Sequence, residues 1–438
     1  MDLRKGLRRL LLRGGVLIAA VVALSVIVNL SWFDEPLNPE LERLKTPNPV
    51  SMEDNAYPLA YGFPAADDRD PRAAGLAIVE ALRERYRDGR RPTLTDDEMA
   101  QILGRATEDV AWRANFSSLS CNSRFSLDCA DRLIAEVARA GTNEPRLRVL
   151  LDRYEQILGT RRFEENQEFD ASTPVPAYGA LLPVARIRLA ASYGRDPTPL
   201  FLSKVAEDVA FWKKMLRDGQ TLIAKMVALA GLRNDMAFVS TLMRQRNLDE
   251  PDVEALRQFV RPLTTEERDI GDAFRFEMRI AVVSAKSMVG LPVRLVWQEN
   301  ATLNEYFNSI MLPMQLRAAL SPEEFYGRQG YQRLSYGIRV FPPPLYNLGG
   351  KLVLKHMIPP DLPDYISRVH DLDGRIRLVL LQAEIARSPV RDVQAIVNAS
   401  SYRNPYTGNP MRYDAAARTI GFDCLERSSN ELCAVVVR

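Results

Sequence analysis

The chain begins with a basic head followed by a long uncharged apolar run, and these two features restrict its fold more than any others. Positions 15–30 carry no charge, and Trp32 and Phe33 extend the apolar run. A helix rises about 1.5 Å per residue and a bilayer core is about 30 Å thick, so roughly twenty such residues can cross it. We therefore predict a cytoplasmic basic head at 1–14 and a transmembrane helix at 15–33.

A cleaved signal peptide is the alternative interpretation of the same segment. Its apolar core is typically about 7–15 residues long and ends at a small-x-small cleavage site. Large side chains occupy most of the exit from Val28 to Phe33, which favours an uncleaved anchor. The basic head contains the single acid Asp2, so the positive-inside rule predicts a cytoplasmic N-terminus. Everything after Asp34 would then lie across the membrane.

The composition is that of a globular protein without a strong charge field. Apolar residues make up 46% and charged residues 26% of the chain, values that are ordinary for folded domains. The formal net charge is +2, and much of that positive charge belongs to the basic head. The rest of the chain is close to neutral, so we expect no nucleic-acid partner.

The four cysteines form two closely spaced pairs, Cys121 with Cys129 and Cys424 with Cys433. In an oxidising compartment this pattern predicts two local disulfides. Free or metal-bound thiols are the alternative, but four-cysteine zinc sites usually contain tight CxxC pairs. The predicted disulfides agree with the export that the N-terminus indicates independently.

Beyond the anchor, the sequence predicts a mainly α fold. Recurrent prolines indicate a linker at 34–72, whose aromatic stretch we expect to pack on the folded body. Helical periodicity with several capping boxes then predicts a periplasmic helical domain at 73–400, an irregular multi-helix bundle. A solenoid is the alternative, although no fixed repeat is present. Dense turn signals predict a small disulfide-stapled β-meander at 401–438, with strands at Met411–Tyr413, Thr419–Phe422 and Leu432–Val437.

The residues available for catalysis are few. The chain has two histidines and lacks the HExxH, GxSxG, GxGxxG, P-loop and CxxC signatures. His370 stands beside Asp371 and Asp373, a cluster that could bind a metal or supply a base. The structural alternative is that Asp371 or Asp373 caps a helix predicted from Arg375, and that His370 is a surface or interfacial residue. We assign no catalytic, cofactor or metal residue and expect no cofactor.

Glu277 is the second functional candidate. It falls on the apolar stripe of a predicted helix, where an ionised carboxylate must be paired or must have a raised pKa. A glycan-cleaving enzyme needs only two carboxylates about 5–10 Å apart. A salt bridge at the edge of the stripe is the structural alternative.

Two stretches carry a resemblance. Asp54-Asn-Ala-Tyr with Gly62-Phe, Asp70-Pro and Ala74-Gly75 is the first, and Asn404-Pro-Tyr-Thr-Gly-Asn-Pro-Met-Arg-Tyr413 is the second. Together with 365–381, they resemble uncharacterised single-anchor envelope proteins of Gram-negative bacteria. The resemblance implies an inner-membrane protein with a periplasmic domain, and it implies no activity and no site residues.

These observations favour a membrane-anchored periplasmic helical protein that binds another envelope protein or assists assembly without catalysis. Two alternatives remain open. One is a periplasmic hydrolase acting on peptidoglycan or another glycan through carboxylates. The other is a binder of lipid or another small ligand with its cavity between helices.

Overall fold

The computed structural model shows a mainly helical protein with one small sheet. The structure describes residues 3–104, 111–120, 127–288, 290, 293–328, 346–357, 362–388, 392–426 and 433–437. The α-helices are α1 (Leu3–Ile27), α2 (Pro39–Leu44), α3 (Ala56–Gly62), α4 (Pro71–Arg87), α5 (Asp96–Leu103), α6 (Leu127–Ala140), α7 (Pro145–Leu158), α8 (Tyr178–Arg195), α9 (Thr198–Asp218), α10 (Leu222–Gln245), α11 (Glu250–Phe259), α12 (Thr265–Arg268), α13 (Gly271–Met288), α14 (Glu299–Tyr306), α15 (Leu312–Ala318), α16 (Pro322–Gly327), α17 (Leu348–Met357), α18 (Leu362–Arg387) and α19 (Val393–Ala399). The strands are β1 (Arg412–Asp414), β2 (Thr419–Gly421) and β3 (Ala434–Val436). Shorter elements are 3₁₀ turns at Ser31–Phe33, Ala111–Asn115, Ser117–Ser120 and Val293–Val296 and a π-helical turn at Phe307–Met311.

The N-terminal helix differs from the predicted transmembrane helix in its bounds. It includes the basic head from Leu3 and ends at Ile27, before the 3₁₀ turn Ser31–Phe33. Lys, Arg and Leu are good helix formers, which explains why the head continues the helix. Within the part of the chain that the structure describes, no helix combines the length and the apolar character needed to cross a bilayer.

Two compact units divide the chain. The smaller unit consists of Met1–Pro47, Glu277–Met314 and Arg333–Asp361, and the larger unit of Asn48–Phe276, Gln315–Gln332 and Leu362–Arg438. The sequence analysis instead placed one helical domain at 73–400. A chain that leaves one unit and returns to it produces no boundary signal in its composition, so this division is not visible in the sequence.

The predicted linker at 34–72 contains helices, and its prolines begin them. Pro39 and Pro71 occupy the first turns of α2 and α4, after the capping side chains of Asn38 and Asp70. Pro58 lies in the first turn of α3, which Asn55 caps. Proline is tolerated there because a first-turn N–H has no intrahelical partner.

Helix α10 forms the centre of the larger unit. It contacts α6, α8, α9 and α18, and residues around its whole circumference are buried. A helix that is apolar on all sides is expected in the interior of a large domain. Residue Gly231 allows the ring of Trp212 on α9 to approach closely, because a Cβ atom at this position would overlap the indole.

Helices α3 and α4 pack unusually closely. A Cβ atom on Gly75 would overlap the carbonyl oxygen of Pro58, and one on Gly62 would overlap that of Pro71. The loop that joins them is held by Arg153 on α7, which is buried and donates to the carbonyl oxygens of Phe63, Ala65, Ala66 and Arg69. The first stretch of the resemblance is therefore the sequence of a tightly packed helical hairpin.

The C-terminal sheet and its disulfide, both predicted from the sequence, are confirmed. The strands lie in the order β1–β2–β3, and both pairs are antiparallel, with Tyr413 opposite Ile420 and Ile420 opposite Val435. A disulfide joins Cys424 to Cys433. The sheet packs on α18 through an apolar cluster in which Ile420 and Val435 are buried.

The first predicted disulfide falls partly outside the described residues. Cys129 is buried on α6, whereas Cys121 lies outside that part of the chain. The pairing of these two cysteines therefore stays a prediction.

Candidate functional site

The cluster His370, Asp371 and Asp373 lies in the middle of α18 and not before a helix. The predicted helix start near Arg375, with an aspartate as its cap, is wrong because α18 begins at Leu362. Gly374 lies inside this helix and lets the Phe422 ring pack where a Cβ atom would overlap it.

The His370 side chain is fully buried and does not line an open site. Its ring lies edge-on to Phe325, with 5.1 Å between the ring centroids. Within the described chain, neither ring nitrogen makes a hydrogen bond. Burial, together with the positive charge of Arg268, lowers the pKa of His370 to about 3. The imidazole is therefore neutral at ordinary pH and is positioned as a packed ring rather than as a base for an external substrate.

Asp371 holds the C-terminal segment against α18. It accepts hydrogen bonds from the Tyr406 hydroxyl, from Leu425 N at 3.0 Å and from Glu426 N at 2.9 Å. Burial raises its pKa. The second stretch of the resemblance contains Tyr406, so part of that motif anchors the tail to the helical body.

The same aspartate lies close to the two cysteine sulfurs of the C-terminal disulfide. One oxygen of Asp371 and the sulfurs of Cys424 and Cys433 lie within 4.8 Å of one another, a spacing suited to a metal ion. The sulfurs are bonded to each other, however, and a metal needs thiolates. In the oxidised protein this group is a structural contact.

Asp373 contacts a third part of the structure. It accepts from Leu263 N at 2.7 Å and pairs with Arg377 at 2.9 Å, which ties the segment before α12 to α18. His370, Asp371 and Asp373 therefore contact three different parts of the structure. Although they are close in sequence, they do not form one cluster of functional groups.

Glu277 on α13 lies beside an aromatic hydroxyl. Burial, with a smaller contribution from the charge of Glu277, raises the pKa of Tyr306 to about 12. Glu277 itself is half-buried. The structure thus gives this candidate acid a phenol as a neighbour and places both groups in the smaller unit.

The sequence analysis did not identify the most strongly perturbed carboxylates. Asp208 on α9 and Asp235 on α10 are almost completely buried. Arg188 on α8 donates to Asp208 Oδ1 at 3.0 Å, while Asp208 Oδ2, Asp235 Oδ2 and the Tyr154 hydroxyl lack hydrogen bonds of normal geometry among the described residues. Burial raises the pKa of both carboxyls, and the charge of Asp208 contributes further to that of Asp235. Burial therefore disfavours the charged form of both carboxyls, and the Arg188 guanidinium opposes this effect at Asp208.

The position of this carboxylate pair explains why it was missed. Val205, Val209 and Trp212 recur at helical spacing along α9, and Asp208 lies one residue from this apolar stripe. Asp208 also follows Glu207, so in the sequence the two acids resemble the ordinary polar edge of a helix.

A groove of about 790 Å³ runs between α4 and α5. Its floor consists of small side chains spaced along α4, Ala73, Ala74, Ala77 and Ala81. Its walls carry both signs of charge, from Asp68, Arg69, Glu84, Arg85, Arg90 and Glu98. Pockets of roughly 300–1,000 Å³ are typical of small-ligand sites.

Helix α1 carries a continuous apolar surface that no described residue covers. The side chains along it are 45–67% exposed, namely Leu11, Leu12, Val16, Leu17, Ile18, Val21, Val22, Leu24 and Ile27. Shortly after the helix, Leu30, Trp32 and Phe33 are exposed as well. A long apolar surface of this kind marks an interaction site.

The C-terminal end of α1 is fixed to the smaller unit by buried amides. The Asn29 side chain accepts from Asn347 N at 2.7 Å, and Gln298 Nε2 donates to Leu30 O at 2.9 Å. Gln298 N in turn donates to Asn347 Oδ1 at 3.0 Å. Each of these three side chains is at least nine-tenths buried. The helix therefore leaves the unit in a defined direction.

The residues after this amide network continue the attachment. Asp34 caps α14 by accepting from Asn300 N at 2.9 Å and Ala301 N at 3.1 Å. Asn304 accepts from Asn38 N at 2.9 Å, which holds the start of α2 beside α14. A helix N-terminus favours a carboxylate, so Asp34 stabilises both segments.

Comparison with known proteins finds no matching family model, no curated protein with a significant match and no solved structure with a significant match.

Proposed function

We propose that this protein is a single-anchor protein of the bacterial inner membrane whose folded body acts in the periplasm as an interaction or assembly factor. The exposed apolar surface of α1 is the observation that carries the proposal. Leaving so many large apolar side chains in water costs about 25 cal/mol per Å², and a bilayer removes that cost.

The proposed anchor extends beyond the uncharged part of α1 on both sides. The uncharged part, 14–27, is about 21 Å long at 1.5 Å per residue. Leu11 and Leu12 add apolar length before it, and the long side chain of Arg13 can extend toward the headgroups. Trp32 and Phe33 then suit the opposite interface, where aromatic rings are enriched.

The structural use of the candidate residues supports a role without chemistry. Asp371 and Asp373 hold segments of the chain together, and His370 is packed against Phe325. A catalytic residue must reach a substrate, whereas these side chains are buried.

Alkaline carbonate extraction of membranes tests the proposal. The full chain should stay in the membrane pellet, because carbonate removes peripheral proteins and leaves inserted helices. The double variant Leu17→Glu with Val21→Glu should move to the supernatant, since each charge at the middle of a helix in lipid costs about 2–3 kcal/mol. Leu200→Glu is the matched control, because Leu200 is 46% exposed and lies on α9, outside the proposed anchor. Release of the unaltered chain by carbonate would refute the proposal.

The groove between α4 and α5 supports a second candidate function, binding of a small amphiphilic molecule. Its alanine floor accepts apolar groups and its mixed charges accept polar ends. Native mass spectrometry of the purified full chain should then show an adduct. Ala77→Trp would fill the groove and remove the adduct, whereas Ala415→Trp on the exposed turn between β1 and β2 would retain it. An adduct-free wild-type spectrum would exclude this function for the purified protein.

A further inference from the structure

The exit of α1 from the smaller unit is surrounded by exposed apolar side chains from distant parts of the sequence. Trp32 is 88% exposed directly after the helix, Leu295 is 51% exposed in the 3₁₀ turn Val293–Val296, and Leu352 is 44% exposed on α17. All of these residues belong to one compact unit. They provide apolar groups in addition to the anchor itself.

Packing places these side chains near the anchor. The Val293–Val296 turn contacts α1, and α17 contacts that turn. The approach is close, because a Cβ atom on Gly349 would lie 3.0 Å from the carbonyl oxygens of both Val293 and Val296. Leu352 follows Gly349 by one helical turn.

The buried amide hydrogen bonds fix the direction in which α1 leaves the rest of the smaller unit. Asn29, Gln298 and Asn347 join the end of α1 to the segments that precede α14 and α17. The helix cannot change its direction without breaking buried hydrogen bonds. The side chains around its exit therefore keep a fixed position along the axis of α1. Any bilayer that holds α1 therefore meets the same side chains.

Basic side chains flank the apolar ones. Arg294 is exposed next to Leu295, and Lys355 is exposed one turn after Leu352. Apolar groups that enter the acyl boundary, with cations beside them at the headgroups, are the chemistry of surface-bound helices on anionic lipid.

Resting on the proposed membrane anchor, we propose that this exit surface, made of Trp32, Arg294, Leu295, Leu352 and Lys355, binds the headgroup layer of a bilayer that contains anionic phospholipid. The smaller unit then lies on the membrane and does not hang from a free tether. The sequence shows none of this, because Trp32 and Leu295 are separated by more than half of the chain.

Fluorescent probes on the full chain in lipid vesicles test the surface. Leu295→Cys and Leu352→Cys are labelled separately with an environment-sensitive dye, in vesicles of phosphatidylglycerol and phosphatidylcholine that carry a nitroxide lipid. Val22→Cys reports the anchor and Leu200→Cys reports an exposed apolar position of the larger unit. Dye at 295 and 352 should lose roughly half of its emission to the nitroxide. The emission at 200 shows separately whether the larger unit also meets the bilayer.

The outcomes separate the two proposals. Quenching at 22 without quenching at 295 and 352 would overturn the exit surface and leave the anchor intact. Lack of quenching at 22 would overturn the anchor itself. The lipid class has its own test: in phosphatidylcholine alone, or with Arg294→Gln and Lys355→Gln together, quenching at 295 should fall by roughly half or more. Equal quenching in both lipid mixtures would overturn the assignment to anionic headgroups.

Discussion

The buried His370 makes the protein sensitive to acid in a way that one substitution can remove. Burial and Arg268 lower the pKa of His370 to about 3, from an ordinary value of 6.5. The unfolded chain therefore takes up a proton at a pH where the folded chain does not. The stabilisation is complete above the ordinary pKa and is lost as the pH falls toward 3.

The expected loss follows from the two pKa values. At about pH 5 the solution is roughly 1.5 pH units below the ordinary value and still well above the folded value, and each unit corresponds to about 1.4 kcal/mol. The free energy of unfolding should thus fall by about 2 kcal/mol between pH 7 and pH 5 because of this residue alone. At about pH 4 the loss should reach roughly 3 kcal/mol.

Urea unfolding at a series of pH values measures this contribution. His370→Leu keeps an apolar side chain of similar size against Phe325 and cannot titrate. Between pH 7 and pH 5, the unfolding free energy of this variant should therefore fall by about 2 kcal/mol less than that of the wild type. If the unfolding free energies of the wild type and of His370→Leu fell equally with pH, His370 would take up its proton as readily in the folded protein as in the unfolded chain. That result would contradict the lowered pKa.

Three further variants test the packing and the C-terminal disulfide. Gly75→Ala should destabilise the chain by more than about 2 kcal/mol, because the new methyl group overlaps the Pro58 carbonyl and the two helices must separate. Asp371→Ala should cost about 3 kcal/mol or more and should expose the C-terminal tail to limited proteolysis, since three donors lose their acceptor. Replacing Cys424 and Cys433 with serine should lower the free energy of unfolding by about 2–3 kcal/mol, the chain-entropy value for so short a loop.

Each of these measurements has a control or a contrary result. Gly179→Ala on α8 meets no atom within 4 Å, so it should be neutral or stabilising by up to about 1 kcal/mol. Equal effects of Gly75→Ala and Gly179→Ala would contradict the close approach of α3 and α4. An Asp371→Ala protein whose tail resists protease as the wild type does would contradict the anchoring role. Unchanged stability after loss of the disulfide would show that the C-terminal sheet holds its loop without it.

Local signals in the sequence were sufficient for the helical class, for several helix starts and for the C-terminal sheet. The capping boxes at Thr95, Thr264 and Ser321 all form as predicted. Thr264 nevertheless caps only the short α12, and the long amphipathic helix begins separately at Gly271. A capping box reports where a helix begins, while its length depends on the tertiary packing that follows.

The role of a proline or a glycine depends on residues that the local sequence pattern does not include. Prolines at 34–72 suggested a spacer, yet Pro39, Pro58 and Pro71 lie in first turns where they favour a helix start. Gly374 lies inside α18, where it admits Phe422 from the C-terminal segment. The sequence contains the residue but not the neighbour that gives it this role.

The candidate site shows the same limit. Side chains that adjoin in sequence, such as His370 and Asp371, face different neighbours because successive positions on a helix point about 100° apart. Asp208 and Asp235 converge from different helices and were not recognised. The exit surface around α1 joins segments that lie far apart in the chain, so only the fold brings it together.

The most direct test of the account is the side of the membrane on which the folded body lies. Alkaline phosphatase and green fluorescent protein can be fused separately after Arg438 of the full chain and expressed in a Gram-negative host. Alkaline phosphatase folds only after export, and green fluorescent protein exported by this route does not fluoresce. We predict an active phosphatase and a dark fluorescent protein. An inactive phosphatase together with a bright fluorescent fusion would place the body in the cytoplasm and contradict the proposed anchor orientation.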